Sequence, residues 1–321
     1  MKARPGLAIV SALALSLAGS VIAANAQDSL TVAIGQINNW ENQAPTLGQD
    51  AGIFKKHNIV LENFGTQGAG ETMQAVIAGS ADIGAGVSVA GVMRAFARGA
   101  PIRILAPMFT GTGDLYWYVR ADSAIKSLKD ATADHTIAYS TSGSTSNSVV
   151  LAFISDLGLK AKPIATGGPP ATFTAVMSGQ VDIGWSAPPL GLREEQEGKI
   201  RIVARGSDAK SLDEQTARAL VVNANTLKNR SDAVGRFLRA YRESVDWMYS
   251  NPEAIKLYAE KTKLPESLIK GSIERFHPKP TMQTDAVKDL DGIMRDALKL
   301  KFLDAPLTKE QLAEFIQIPP R

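Results

Sequence analysis

Thr72-Met73-Gln74-Ala75-Val76-Ile77-Ala78-Gly79-Ser80-Ala81-Asp82-Ile83-Gly84 returns one hundred residues later as Thr172-Phe173-Thr174-Ala175-Val176-Met177-Ser178-Gly179-Gln180-Val181-Asp182-Ile183-Gly184. Seven of the thirteen positions are identical in register, and Gly68 and Gly168 extend the match upstream. Each copy reads as a glycine loop, a helix of two to three turns, a glycine stop and a strand opened by Asp-Ile-Gly. A lone Asp-Ile-Gly is weak, but two long copies imply two similar lobes. Stacked solenoids need about three or more units, so two copies disfavour one.

Working outward, short β-branched runs alternate with helical stretches from Leu30 to Arg205, the pattern of an α/β fold with a largely parallel sheet. Strands are expected at Leu30–Gly35, Ile59–Phe64, Asp82–Gly86, Ile102–Phe109, Leu115–Arg120, Thr136–Ser140, Pro163–Thr166, Val181–Ser186, Ile200–Arg205 and Arg218–Ala224. Beyond these the chain turns helical. Val234, Phe237, Leu238, Tyr241, Val245 and Met248 form one apolar face after a cap at Ser231-Asp232. Asn251-Pro252-Glu253, Leu264-Pro265-Glu266 and Pro278-Lys279-Pro280 punctuate the C-terminal third, and Asp285–Leu300 reads as another amphipathic helix. These helices are expected to pack on the first lobe.

The N-terminus carries Lys2 and Arg4, the apolar run Leu7–Ile22 and the small-residue site Ala24-Asn25-Ala26, which reads as an export signal over 1–26 cleaved after Ala26. The run is shorter than the ~20 residues that span a bilayer. Without those two basic residues the 35 Lys+Arg become 33 against 32 Asp+Glu, a net charge of +1. Neither nucleic acid nor an anionic membrane finds a basic patch to bind. The chain has no cysteine, which removes disulfides, thiolate metal sites, a cysteine nucleophile and a lipidated N-terminal cysteine. Export without an anchor points to a periplasm, free of direct membrane insertion. About 295 residues beyond the signal suit two lobes.

Asp50-Ala51-Gly52-Ile53-Phe54-Lys55-Lys56-His57-Asn58-Ile59, the strand Leu30–Gly35, both Ala-x-x-x-Gly-x-x-Asp-Ile-Gly segments and Phe237–Glu253 together resemble the nitrate, sulfonate and taurine family of periplasmic solute-binding proteins of ABC transporters, which also includes pyrimidine-precursor binders. Asn58 departs from the family's usual glycine, yet asparagine tolerates left-handed backbone. The resemblance implies a type II periplasmic-binding-protein fold, α/β and two-lobed, with a ligand cleft between lobes joined by two crossover strands. Lobe one would comprise 27–113 and the helical return 220–321, and lobe two 114–219, with crossings near Thr110–Leu115 and Arg218–Asn223. Its implied partners are a small-molecule ligand and the membrane permease of an ABC importer; a monomer is expected, with no cofactor.

Open α/β sheets bind ligands beyond the carboxyl ends of their strands, where helix N-termini present free amides. That rule nominates Gln36 and Trp40 after the first strand, Gly70 and Glu71 at a helix start, and Ser88 after the first Asp-Ile-Gly. In lobe two it nominates Ser142, Gly143, Ser144 and Thr145 at a helix start, with Trp185 and Ser186 after the second. Hydroxyls and amides at Ser142–Thr145 could surround an anion, although Ser142 or Ser144 could equally cap the helix. Trp40 and Trp185 could cover the organic part of a ligand or simply fill cores. Glu71 suits a helix-start carboxylate as well as a ligand contact. Asp82 and Asp182 read as a shared structural turn. His57, His135 and His277 lack metal-ligand spacing, and no phosphate loop, nucleophile elbow or zinc-protease helix occurs.

A small organic anion, sulfonate- or carboxylate-like, is therefore the expected solute. The alternative is a neutral heterocycle such as a pyrimidine precursor. An enzyme of the pyrimidine-synthesis-like branch is disfavoured because that branch's cysteine-rich signature cannot exist here. An adhesion or scaffold protein would present a broad recognition surface in place of a cleft.

Overall fold

The computed structural model describes residues 27–320; the expected export signal lies outside the described residues. The described residues form ten strands: β1 (Asp28–Gly35), β2 (Ile59–Thr66), β3 (Ile83–Ser88), β4 (Ile102–Thr110), β5 (Tyr116–Arg120), β6 (Thr136–Tyr139), β7 (Lys162–Ala165), β8 (Gly184–Ser186), β9 (Ile200–Arg205) and β10 (Thr216–Asn223). One sheet runs β2-β1-β3-β10-β4, with β1 parallel to both β2 and β3, and β10 antiparallel to both β3 and β4. A second group pairs β8-β5-β9 antiparallel and β6-β7 parallel, and an Ile137–Ile183 parallel bridge joins the two. Through that bridge the second order is β7-β6-β8-β5-β9, strand for strand the arrangement of the first. The molecule thus has the two-lobed α/β fold of periplasmic binding proteins.

The five-stranded sheet is covered on both faces, and β3 is buried at every residue. On one face Leu30, Val32, Phe54, Phe237 and Tyr241 pack together, bringing helices Ile53–Lys56 and Ser231–Ser250 onto the sheet. On the other, Val76, Val92, Phe96 and Phe315 seat helices Ala69–Ile77, Val89–Ala97 and Lys309–Phe315. The second lobe closes over Trp117, Val149, Phe153, Ile183 and Trp185.

Asn58 has φ +57°, the left-handed turn that its place before β2 demands. Four expectations change. The second Asp-Ile-Gly strand shortens to Gly184–Ser186, and the helix expected over Asp285–Leu300 begins at Leu290. Residues before it are drawn off to β10: Thr216 N donates to Lys288 O at 3.2 Å and Lys288 N to Thr216 Oγ1 at 2.8 Å. Third, the C-terminal helices do not confine themselves to the first lobe. Helix Glu266–Phe276 buries Ile269 in the first lobe's core and Phe276 in the second's, where Arg205 lies 4.8 Å over the Phe276 ring. Ser231 is the first helical residue of its helix, whose N-cap, Arg230, makes no side-chain cap.

Candidate ligand cleft

The chain leaves the first sheet through 111–115 and returns through 206–215. These connections bond to each other's flanks, Gly111 N to Gln215 O and Gly206 N to Leu115 O, both at 2.8 Å. In front of them the lobes meet. Gly70 N donates to Thr141 Oγ1 at 2.9 Å and Gly168 N to Gln67 Oε1 at 3.4 Å. The approach is close enough that a Cβ on Gly70 would stand 2.5 Å from Ser142 O, and one on Gly91 would collide with Gly143 O. The lobes are shut upon each other, and the cavity between them is about 30 Å³.

Both lobes line it. Lobe one and its returning strand contribute Gln36, Asn39, Glu41, Asn42 and Arg218; lobe two contributes Ser140, Ser144, Thr145, Ser146 and Trp185. Ser144 Oγ caps helix Thr145–Leu157 by accepting from Asn147 N at 3.1 Å, and also lies 3.0 Å from Ser146 Oγ. Ser146 Oγ accepts from Ser140 N at 3.0 Å. The serine loop is therefore knitted together by its own hydroxyls, with Trp185 held in place by its Nε1 donating to Gly167 O at 3.2 Å.

The charged side is less completely bonded. Arg218 is 4 % exposed and donates through one terminal nitrogen to Asp114 Oδ2 at 2.7 Å, with its guanidinium 4.5 Å over the Phe109 ring. His277, fully buried, packs edge-on against that ring at 5.9 Å and sets Nε2 3.3 Å from Pro188 O and 3.7 Å from Glu41 Oε2. Burial pushes the Glu41 carboxyl up to about 7, against the pull of Arg218 and with the push of Asp114. Burial likewise raises Asp114, opposed by Arg218. It opposes the charge on Arg218, but Asp114 and Glu41 hold that group above its ordinary value. Burial, aided by Arg218, lowers His277 to about 3 and keeps the imidazole neutral.

Of the residues the sequence nominates, the cavity gathers Gln36, Ser144, Thr145 and Trp185. Ser88 sits in an adjoining cavity shared with Thr145, where its Oγ caps helix Val89–Ala97. Trp40 is elsewhere: its ring is wedged in the first core between Tyr249 and Tyr258, with centroids 5.9 and 5.2 Å away. Glu71 is exposed and accepts from Gln67 N at 2.7 Å, a local helix-start contact. Gly70 belongs to the lobe–lobe seam. Ser142 and Gly143 face an outer groove beside Met73, Arg94 and Arg98, and buried Ser186 donates to Leu190 O at 3.0 Å beside a separate cavity shared with Tyr118 and Phe173. Sequence reasoning passes over Glu41, Asn42 and Arg218. The signal for the last was a lone arginine inside the apolar run Ala217–Val222, matched by Asp114 at the other crossing, since charges in such places are buried only in pairs.

Among the described residues no group of three or more His, Asp or Glu side chains is placed to hold a metal, and no helix is long and apolar enough to cross a membrane.

The sheet order, paired crossings and cleft define a two-lobed binding-protein architecture. The family model described as NMT1/THI5 like matches residues 40–255, and the chain belongs to that family. Comparison with curated protein sequences gives no match. Among solved structures, the alkanesulfonate-binding protein from Xanthomonas axonopodis pv. citri bound to MOPS superposes with a TM-score of 0.74 at 14 % identity, covering 91 % of this chain and 98 % of that one. The periplasmic aliphatic sulphonate binding protein from Escherichia coli gives 0.68 at 18 % identity, over 92 % and 93 %. A desulfurization enzyme gives 0.58 at 16 % identity, over 91 % and 96 %, so the fold alone does not separate binder from enzyme.

Proposed function

We propose that the chain is an exported solute-binding protein that holds a small organic anion between its lobes and delivers it to the permease of an ABC importer. The observation that carries this reading is the cavity made jointly by both lobes, with the Arg218 guanidinium on one wall and the hydroxyls of Ser140, Ser144, Thr145 and Ser146 on the other. Guanidinium and hydroxyl donors together can hold an oxyanion, while the Trp185 face covers carbon. The sulfonate-binding proteins that share the fold lend support.

A cavity of about 30 Å³ is too small for an organic solute. Entry therefore requires the two lobes to part about the paired crossings and shut again on the solute. Periplasmic location follows from the export signal expected over 1–26, and intact mass of protein recovered from the periplasm checks cleavage after Ala26.

A thermal-shift panel of sulfonates, taurine, nitrate, aromatic carboxylates and pyrimidines tests the function, because a ligand bound only to the native state raises the melting temperature. An anion is expected to give the largest shift. Shifts from uncharged compounds alone would remove the anion reading, and none from the whole panel would remove solute binding.

A further inference from the structure

Three buried oxygens on the lobe-one wall lack hydrogen-bond donors: Asn39 Oδ1, Glu41 Oε2 and Asn42 Oδ1. The three residues are 1–2 % exposed and all line the cavity between the lobes. Their orientation is fixed by their other ends. Asn39 Nδ2 donates to Glu41 Oε1 at 3.3 Å, and Asn42 Nδ2 donates to Gly35 O at 2.5 Å. Flipping either amide would set oxygen against oxygen, so the unpartnered atoms are acceptors. His277 Nε2 stands 3.7 Å from Glu41 Oε2, beyond hydrogen-bond reach. Arg218 Nε, on the same cavity, is a buried donor without an acceptor. Buried acceptors left without donors are costly, and one wall of the cleft concentrates two amide oxygens and, once its carboxyl ionises above a pH of about 7, Glu41 Oε2.

We propose that the solute supplies these donors: besides the anionic end of the proposed function, on which this inference rests, it carries a nitrogen with two or more N–H groups, as an amine, ammonium or primary amide, directed at Asn39, Glu41 and Asn42. Arg218, already committed to Asp114, offers Nε to the solute's acceptor end. The two ends fix the orientation of a bipolar solute along the lobe-one wall. The hydroxyl wall of lobe two, whose serines bond among themselves, selects less between such ends.

Calorimetric titration with ethanesulfonate, 2-aminoethanesulfonate, 2-(trimethylammonio)ethanesulfonate, 2-aminoethanol, benzoate and 4-aminobenzoate tests it. Each amino anion is expected to bind at least tenfold tighter than its partner without nitrogen, and the trimethylated compound, charged but without N–H, no tighter than ethanesulfonate. Glu41→Gln turns the vacant Oε2 position into a donor while its oxygen still accepts from Asn39, so the amino preference should vanish or invert. Asn39→Leu, which deletes a neighbouring acceptor, should diminish it. Equal affinity with and without the amino group, or a preference untouched by both variants, overturns the proposal and leaves anion binding standing. Binding of 2-aminoethanol as tight as 2-aminoethanesulfonate leaves the donor inference standing and overturns the anion, whereas silence from every probe contradicts solute binding itself.

Discussion

The two copies of the repeat are nearly superimposable in their bonding, yet the walls they support differ in kind. In lobe one Thr72 N and Oγ1 both donate to Gly68 O, and Thr72 Oγ1 lies 2.6 Å from Thr66 Oγ1; in lobe two Thr172 repeats each bond with Gly168 and Thr166, the last again at 2.6 Å. Gly79 and Gly179 stop their helices at the same φ of +76°. Asp82 accepts from Thr31 N and Asp182 from Thr136 N, each tying strand to neighbouring strand. In the loops outside the repeat the likeness ends. The loop after β1 brings Asn39, Glu41 and Asn42 to the cleft, whereas the loop after β6 brings only serines and a threonine. The repeated segment builds a lobe, and the unrepeated loops decide what the lobe holds.

The sharpest way to break that contrast is to strike the charged side. Arg218→Ala strands Asp114 in the interior and is expected to cost about 3–5 kcal/mol, read from the urea midpoint; pairing it with Asp114→Leu should recover most of the loss. Loss under about 1 kcal/mol for the single variant would show that this pair is not buried as described.

Glu41 should make stability depend on pH. Its carboxyl is raised from 4.5 to about 7, so the fold holds an extra proton between those values and stability falls as pH rises through that window. The drop attributable to Glu41 is about 3 kcal/mol. His277, lowered from 6.5 to about 3, works the other way, adding stability as pH rises from 3 to 6.5. Glu41→Gln isolates the first effect: denaturation at pH 5 and pH 8 should show the variant gaining on wild type by about 2–3 kcal/mol, and a constant difference would refute it.

The scaffold pair offers a finer comparison. Asp82 also takes Thr226 Oγ1 at 2.9 Å and meets Arg230 at 3.3 Å, while Asp182 adds only Thr136 Oγ1 at 2.9 Å, in a more exposed setting. Asp82→Ala should cost about 3 kcal/mol and Asp182→Ala about 1 kcal/mol, by thermal or urea unfolding. Smaller still, Ser144→Ala should cost about 1 kcal/mol through its helix cap and leave the choice among amino and non-amino solutes unchanged.

The limits of the sequence fall along the same division. Strand positions and the presence of two similar lobes were legible because Asp-Ile-Gly, helix-stop glycines and β-branched runs act locally, within a dozen residues of one another. The cleft was half legible: helix-start rules reach Ser144 and Thr145, and the strand-end rule reaches Gln36 and Trp185. Those rules misplace Trp40, because an indole after a strand satisfies either wall or core and only the packing of Tyr249 and Tyr258, over two hundred residues away, decides. They miss Glu41 and Arg218 because a buried charge depends on partners far along the chain. Likewise, the apolar pattern of Glu266–Phe276 shows a buried face without saying that its two ends enter different lobes.

Closure upon a solute is the central claim, and the seam supplies its control. Gly91 meets the Gly143 carbonyl so closely that Gly91→Ala should hold the lobes apart while leaving each lobe's fold intact. Small-angle scattering on wild type and Gly91→Ala, each with and without the best-binding solute, measures this directly. The account predicts that solute makes wild type more compact and that the variant stays extended and binds more weakly; an unchanged radius of gyration for wild type at saturating solute would contradict it.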